Sequence, residues 1–204
     1  MTLPLRKGRR ADPSKDEAIL DAASDLFTRR GYAASIDDIA AAAGVSKQTI
    51  YARYASKRDL LAAVVHKTAE DLVSALSIGS APPEEALAKF GERFAEVVFN
   101  PAKIAMQRLI ISEAAQFPDL ARAYYESGPQ YVRSKLSAYI ERAAAAGKLA
   151  ADDAAGAASQ FLGLIIGADH MTSLMGVDLA ENPGSRRQRI RAAVDAFLRL
   201  YAVK

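Results

Sequence analysis

The stretch Ser35-Ile-Asp-Asp-Ile-Ala-Ala-Ala-Ala-Gly-Val-Ser-Lys-Gln-Thr-Ile-Tyr-Ala-Arg-Tyr-Ala-Ser-Lys-Arg-Asp-Leu60 decides how the chain folds. Ser35 with Asp38 three residues on is a capping-box-like start, because hydroxyl and carboxylate can each satisfy a backbone N–H left orphaned at a helix N-terminus. Ile39, Ala40 and Ala43 carry that helix to Gly44, and Gly44-Val45-Ser46 reads as a tight turn. Ser46 then caps a short helix from Lys47 to about Tyr54, with Ile50 and Tyr54 facing inward. Ser56 starts a longer helix whose apolar positions Leu60, Leu61, Val64, Val65, Thr68, Leu72 and Leu76 run to about Ile78. Upstream, Ser14-Lys15-Asp16-Glu17 predicts another capping box. Ile19, Leu20, Ala23, Leu26 and Phe27 then follow at the spacings of one helix face, with Gly31 as the stop.

A helix, a Gly-containing turn and a second short helix is the outline of a helix-turn-helix. Between residues 47 and 58 the cations Lys47, Arg53, Lys57 and Arg58 stand without an acid, interleaved with Gln48, Thr49, Tyr51 and Tyr54. A groove-facing helix needs this mixture, with polar side chains that reach base edges and cations that meet phosphates. The alternative is a solvated helix face. The pattern Ile39-Ala40-x-x-Ala43-Gly44-Val45-Ser46-x-x-Thr49-Ile50-Tyr51-x-x-Tyr54-x-Ser56-Lys57-x-x-Leu60 resembles the signature of TetR-type regulators over about residues 14 to 62. Glu113 to Gly167 more loosely resembles the AefR-like sensor domain of that family.

The resemblance implies an all-helical homodimer in which the third helix enters the major groove and the last two helices pair with those of a partner copy. It assigns Lys47, Gln48 and Thr49 to bases, and Ser35, Tyr51 and Lys57 to phosphates. Arg53 stands where the family often has His, a change that should strengthen a phosphate contact. Ser35 replaces the usual Thr and keeps the hydroxyl. Gln48 stands where a small residue is frequent; Gln can pair bidentately with adenine.

Beyond Leu60, the apolar spacing predicts helices at about 83–99, 101–117, 119–147, 152–175 and 185–202, with Gly128-Pro129 kinking or splitting the third of them. The fold class expected is therefore all-α with about nine helices: a flexible basic arm over 1–13, a DNA-binding domain over 14–60, and a ligand-sensing and dimerisation domain over 61–204. Gly163-x-x-x-Gly167 lets two helices approach closely. Arg186, Arg187, Arg189 and Arg191 read as the wet face of a dimer helix whose apolar stripe is Ile190, Val194, Phe197, Leu198 and Tyr201.

Charge placement agrees with this division. Residues 1–60 hold 11 Lys/Arg against 8 Asp/Glu, a net of +3, while residues 61–204 hold 16 of each. The excess positive charge thus sits in the first third, as an anionic partner requires. Arg6, Lys7, Arg9 and Arg10 form either a plain tail or a minor-groove arm. No apolar core follows them, so they are not read as a signal peptide. The apolar run from Ala154 to Ala168 is shorter than the roughly 20 residues a membrane span needs.

With no Cys and two His, disulfides, thiolate metal sites and a Cys nucleophile are excluded, and no metal, cofactor or catalytic residue is expected. The expectation is a cytoplasmic regulator, not an enzyme, that binds a palindromic double-stranded operator and is released by a small-molecule effector. His66, Met106, Gln107, Glu113, Phe117, Phe161, Asp169 and His170 are the candidate pocket residues, their polar and apolar side chains set among the later helices. Two other readings compete. One is a helical enzyme or carrier with a degenerate helix-turn-helix, against which no nucleophile–base pair, phosphate loop or metal spacing is visible. The other is a membrane-surface protein, against which the basic third forms compact capped helices.

Overall fold

Local side-chain chemistry starts the first helices where the sequence places them. The computed structural model describes residues 13–76, 81–177 and 183–203. Most of the basic arm and the expected helix end at Ile78 lie outside these. Helix α1 spans Pro13–Arg30, so Ser14 falls inside its first turn and Pro13 opens it, at a position where a missing N–H is harmless. Gly31, at φ +59°, closes it into a 3-10 turn. Helix α2 spans Ile36–Ala42, α3 Lys47–Tyr51 and α4 Lys57–Val73, with Ser35, Ser46 and Ser56 as their N-caps. Gly44 takes φ +65° in the turn between α2 and α3, a left-handed conformation that costs a side-chain-bearing residue about 1–2 kcal/mol.

The remaining elements are α5 (Pro83–Val98), α6 (Pro101–Glu113), α7 (Pro118–Tyr125), α8 (Tyr131–Ala145), α9 (Ala154–Ile166), α10 (Asp169–Leu174) and α11 (Pro183–Tyr201). No strand occurs among the described residues, and the protein is all-helical. Gly128-Pro129 interrupts the α-helix expected over 119–147 without ending the helical run. Residues Glu126–Gln130 form a π turn that joins α7 to α8, a wider turn that absorbs a proline without an N–H to give. Gly128 sits there because α4 passes close by: a Cβ would lie 2.7 Å from Val65 Cγ1. The predicted helix over 152–175 does break, at Gly167, whose φ of +50° and ψ of −154° separate α9 from α10.

Two cores hold the molecule. Ile19, Phe27, Ile39, Ile50, Leu60 and Leu61 bring α1 to α4 together, and Met106, Ile110 and Leu120 from α6 and α7 complete that core. The second joins α5, α8, α9 and α11 around Phe90, Phe161 and Phe197, all fully buried, with the last two rings edge to face at 5.1 Å. Gly91 lets α11 come close, since a Cβ there would meet Ile190 Cγ2 at 3.0 Å. Ile190, Val194 and Phe197 are thus spent within the chain, packed on α5 and α9, instead of on a partner copy.

Candidate nucleic-acid interface and effector cavity

Each short helix of the reader is fixed at its start by a serine. The Ser35 hydroxyl accepts the Asp38 N–H at 3.1 Å and donates to the Asp38 carboxylate at 2.8 Å, holding that carboxyl below the usual range. Ser46 Oγ accepts the Thr49 N–H at 3.1 Å and lies 2.9 Å from Thr49 Oγ1. Capping of this kind is worth about 1 kcal/mol, and it orients α3 so that Lys47, Gln48 and Tyr51 face solvent while Ile50 is buried. Thr49 is half-buried, its hydroxyl beside Ser46.

The cations of the reader lie against partners within the chain. Lys47 Nζ reaches the Asp37 carboxylate at 3.1 Å, both side chains being well exposed. Arg53 Nε lies against the Asp16 carboxylate, so α3's end is tied to α1; this Arg is only 17 % exposed. Lys57 Nζ donates to the Tyr32 carbonyl and sits 4.2 Å from the centre of the Tyr32 ring. Burial lowers the Lys57 pKa from its ordinary value. Lys57 differs from the other two in having no carboxylate beside it among the described residues, so its positive charge stays uncompensated.

Between this reader and the second core lies a cavity of about 580 Å³. Of the pocket candidates, Met106, Gln107 and His170 line it. The other candidates stand elsewhere. Phe161 is wholly buried between Phe90 and Phe197. Asp169 pairs with Arg189 at 2.5 Å, which also turns that arginine inward from the wet face predicted for it. His66 packs on the Tyr131 ring with centroids 4.4 Å apart. Phe117 is 50 % exposed, and Glu113, in the last turn of α6, is not among the lining residues.

The sequence reading missed Ser24, Phe27 and Thr28 of α1, Leu61, Thr68 and Leu72 of α4, and Lys103, Tyr124 and Leu162. Their common feature is a face set by long-range packing, which no local spacing announces. The walls are mostly apolar. Gln107 bonds to Tyr124, whose pKa burial raises, and Arg133 donates to the Tyr125 hydroxyl at 3.2 Å. Burial lowers the pKa of both Lys103 and His170. Among the described residues no group of His, Cys, Asp and Glu is placed to hold a metal ion.

A capped helix-turn-helix presenting Lys47, Gln48 and Tyr51, set on an all-helical body, defines a DNA-binding transcriptional regulator. Residues 19–64 match the model of the bacterial regulatory proteins of the tetR family, and residues 85–203 match that of the AefR-like transcriptional repressor C-terminal domain. The chain belongs to the TetR family. It is similar to the transcriptional activator FasR of Mycolicibacterium smegmatis, 47 % identical over 57 residues; these make up 28 % of this chain and 26 % of FasR, so only about a quarter of that relative's length is spanned. A TetR-family regulator from Mesorhizobium loti superposes with a TM-score of 0.76 at 26 % identity, covering 96 % of this chain and all of the other. The flavonoid-responsive regulator FrrA superposes with a TM-score of 0.68 at 35 % identity, over 94 % of this chain and 98 % of its own. The family and these relatives are transcriptional regulators, not enzymes. No described helix is long and apolar enough to cross a membrane.

Proposed function

We propose that the chain is a homodimeric repressor that leaves a palindromic operator when a small, largely apolar effector fills the cavity. One observation carries this reading: the cavity borrows its walls from the DNA-reading domain itself. Ser24, Phe27 and Thr28 of α1 and Leu61 and Val64 of α4 line it alongside Met106 and Ile110 of α6. Phe27, Leu61, Val64, Met106 and Ile110 also belong to the reader's core. A ligand there presses on the same core in which Ile50 of α3 is buried. If it prefers a dimer with another reader spacing, linkage requires it to weaken DNA binding, with couplings of this type typically about 5–150-fold. FrrA, described as flavonoid-responsive, supports an effector of small aromatic size.

In the bound dimer, Lys47 and Gln48 approach base edges, with Thr49 steadying the helix start from beside Ser46. Ser35, Tyr51 and Lys57 meet phosphates. Arg53 acts mainly through Asp16, holding α3 to α1. The dimer face is the outward stripe of α9, where Gln160, Gly163, Leu164 and Gly167 are exposed and a Cβ at either glycine would meet nothing within 4 Å. Two such readers sit in successive major grooves about 34 Å apart.

Selection of bound sequences from a random duplex pool tests the reading, with Gln48→Ala beside the natural protein. A palindromic consensus that relaxes at one base per half-site in the variant supports it. A pool with no consensus at low salt sinks it and favours a vestigial reader. Leu164→Arg, on the outward stripe, turns the dimer into a monomer in sedimentation; an unchanged dimer would put the interface elsewhere.

A further inference from the structure

We propose that the effector is an apolar molecule carrying one anionic oxygen group, with Lys103 as its counter-ion and His170 Nε2 as a second polar contact. The proposal deepens the reading of the cavity as the effector site and rests on it. Lys103 stands in the first turn of α6, and its side chain lines the cavity beside Ala102 and Met106. No carboxylate or carbonyl among the described residues bonds to its ammonium, in contrast to Lys47, Lys67 and Lys89, each of which meets an Asp or Glu within 3.1 Å. A half-buried cation against apolar walls is costly unless a partner arrives.

The rest of the wall agrees. Lys103 and Arg133 bring positive charge, and among the described residues no Asp or Glu lines the cavity. Such a wall repels a cationic ligand; a neutral acceptor relieves the desolvated ammonium in part, as the Tyr32 carbonyl does for Lys57, and an anion relieves it most. His170 Nε2 is buried without a hydrogen-bond partner, and its ring meets Phe99 edge-on with centroids 6.1 Å apart. Phe99 stands at the junction of α5 and α6, next to the first turn that carries Lys103, and α10 with His170 packs on α6, so the two polar groups mark the same end of the cavity. The remaining walls, among them Leu162, Val132, Ile166 and Phe94, suit a hydrocarbon or aromatic body. Burial of both polar groups disfavours their charged forms, and an anion beside Lys103 reverses that preference.

The test uses the full-length protein and two fluorescent probes of matched body, the anion anilinonaphthalenesulfonate and the neutral phenylnaphthylamine. The natural protein is expected to bind the anion about tenfold or more tightly than the neutral probe, the gain typical of one charge-assisted bond in a sheltered site. Each probe should displace the other. Lys103→Met removes that preference by weakening the anionic probe relative to the neutral one, while Lys103→Arg retains it. Thermal melts confirm that both variants fold. Equal binding of the anion by Lys103→Met and the natural protein overturns the proposal, as does a parallel loss of both probes in a folded variant. If the natural protein binds the neutral probe but shows no preference for the anion, only the counter-ion role of Lys103 falls. If it binds neither, the cavity is no effector site and the reading beneath it falls too.

Discussion

On the DNA-reading side Lys47 meets Asp37, Arg53 meets Asp16 and Lys57 meets the Tyr32 carbonyl, whereas in the cavity the Lys103 ammonium and His170 Nε2 face walls that give them no bond. The reader is closed upon itself, so its geometry is set before DNA arrives. The cavity is polar-poor and unfinished, and its few polar groups gain only from a ligand. Pre-organisation favours a defined surface for base recognition, while unsatisfied groups favour a response to binding. The two regions share α4 and α6, and through these a change in one is felt by the other.

The largest effect that would break this contrast concerns whether the cavity is a real opening. Phe161 and Leu162 are sequence neighbours, but one is fully buried in the second core and the other is a half-buried cavity wall. Phe161→Ala should cost about 3–5 kcal/mol of stability, as for a large ring removed from a close-packed core, and Leu162→Ala, half-buried on the cavity wall, clearly less. Chemical denaturation at one fixed protomer concentration reads both. Similar losses would show that the cavity is closed up in solution.

Salt dependence sharpens the reader half. Lys57 carries charge that no carboxylate cancels, so Lys57→Ala should flatten the slope of log affinity against log salt by about two units per dimer, roughly a tenfold difference between 50 and 200 mM salt. Arg53→Ala should leave the slope nearly unchanged, because Asp16 already balances that charge, and should instead lose about 1 kcal/mol of stability. Equal flattening by both variants would mean that Arg53 leaves Asp16 to meet a phosphate.

A difference of sign follows at about 1 kcal/mol. Ser46→Ala removes the cap of α3 and should destabilise by roughly that amount. Lys103→Met removes a desolvated, unpaired cation and should raise the melting temperature of the free protein by about 2–4 °C. A lower melting temperature for Lys103→Met would show that the ammonium already has a partner.

What the sequence made legible was what neighbours along the chain decide. Ser35, Ser46 and Ser56 bond three residues ahead, so their roles show in the spacing alone, and Gly44 marks a turn that favours glycine. The break at Gly167 was hidden because Ala168, Met171 and Leu174 carry a helical spacing on past it. The cavity was hidden for another reason. Rotation by one residue on α9 separates the buried Phe161 from the lining Leu162, and only the packing of α4, α6 and α8 decides which side opens. No local spacing sets Lys103 apart from helix surface, and the partner of Lys47, Asp37, lies ten residues away across the turn.

The smallest effect is a matter of pH. Burial holds the His170 pKa below its ordinary value of about 6.5, so below that pH the unfolded chain takes up a proton that the folded chain resists. Stability contributed by neutral His170 is therefore full above about pH 6.5 and is lost as pH falls through that value toward the folded pKa. Its surroundings offer no relief, since Phe99 meets the ring edge-on and the neighbouring Asp169 is engaged by Arg189. His170→Phe should flatten the stability profile below about pH 6.5 and leave neutral pH nearly untouched. An anionic probe bound at Lys103 should flatten the same window in the natural protein, because its charge makes the protonated imidazole easier to hold. If the probe steepens that window instead, its anionic group sits at the far end of the cavity from His170, and the two polar groups do not serve one ligand.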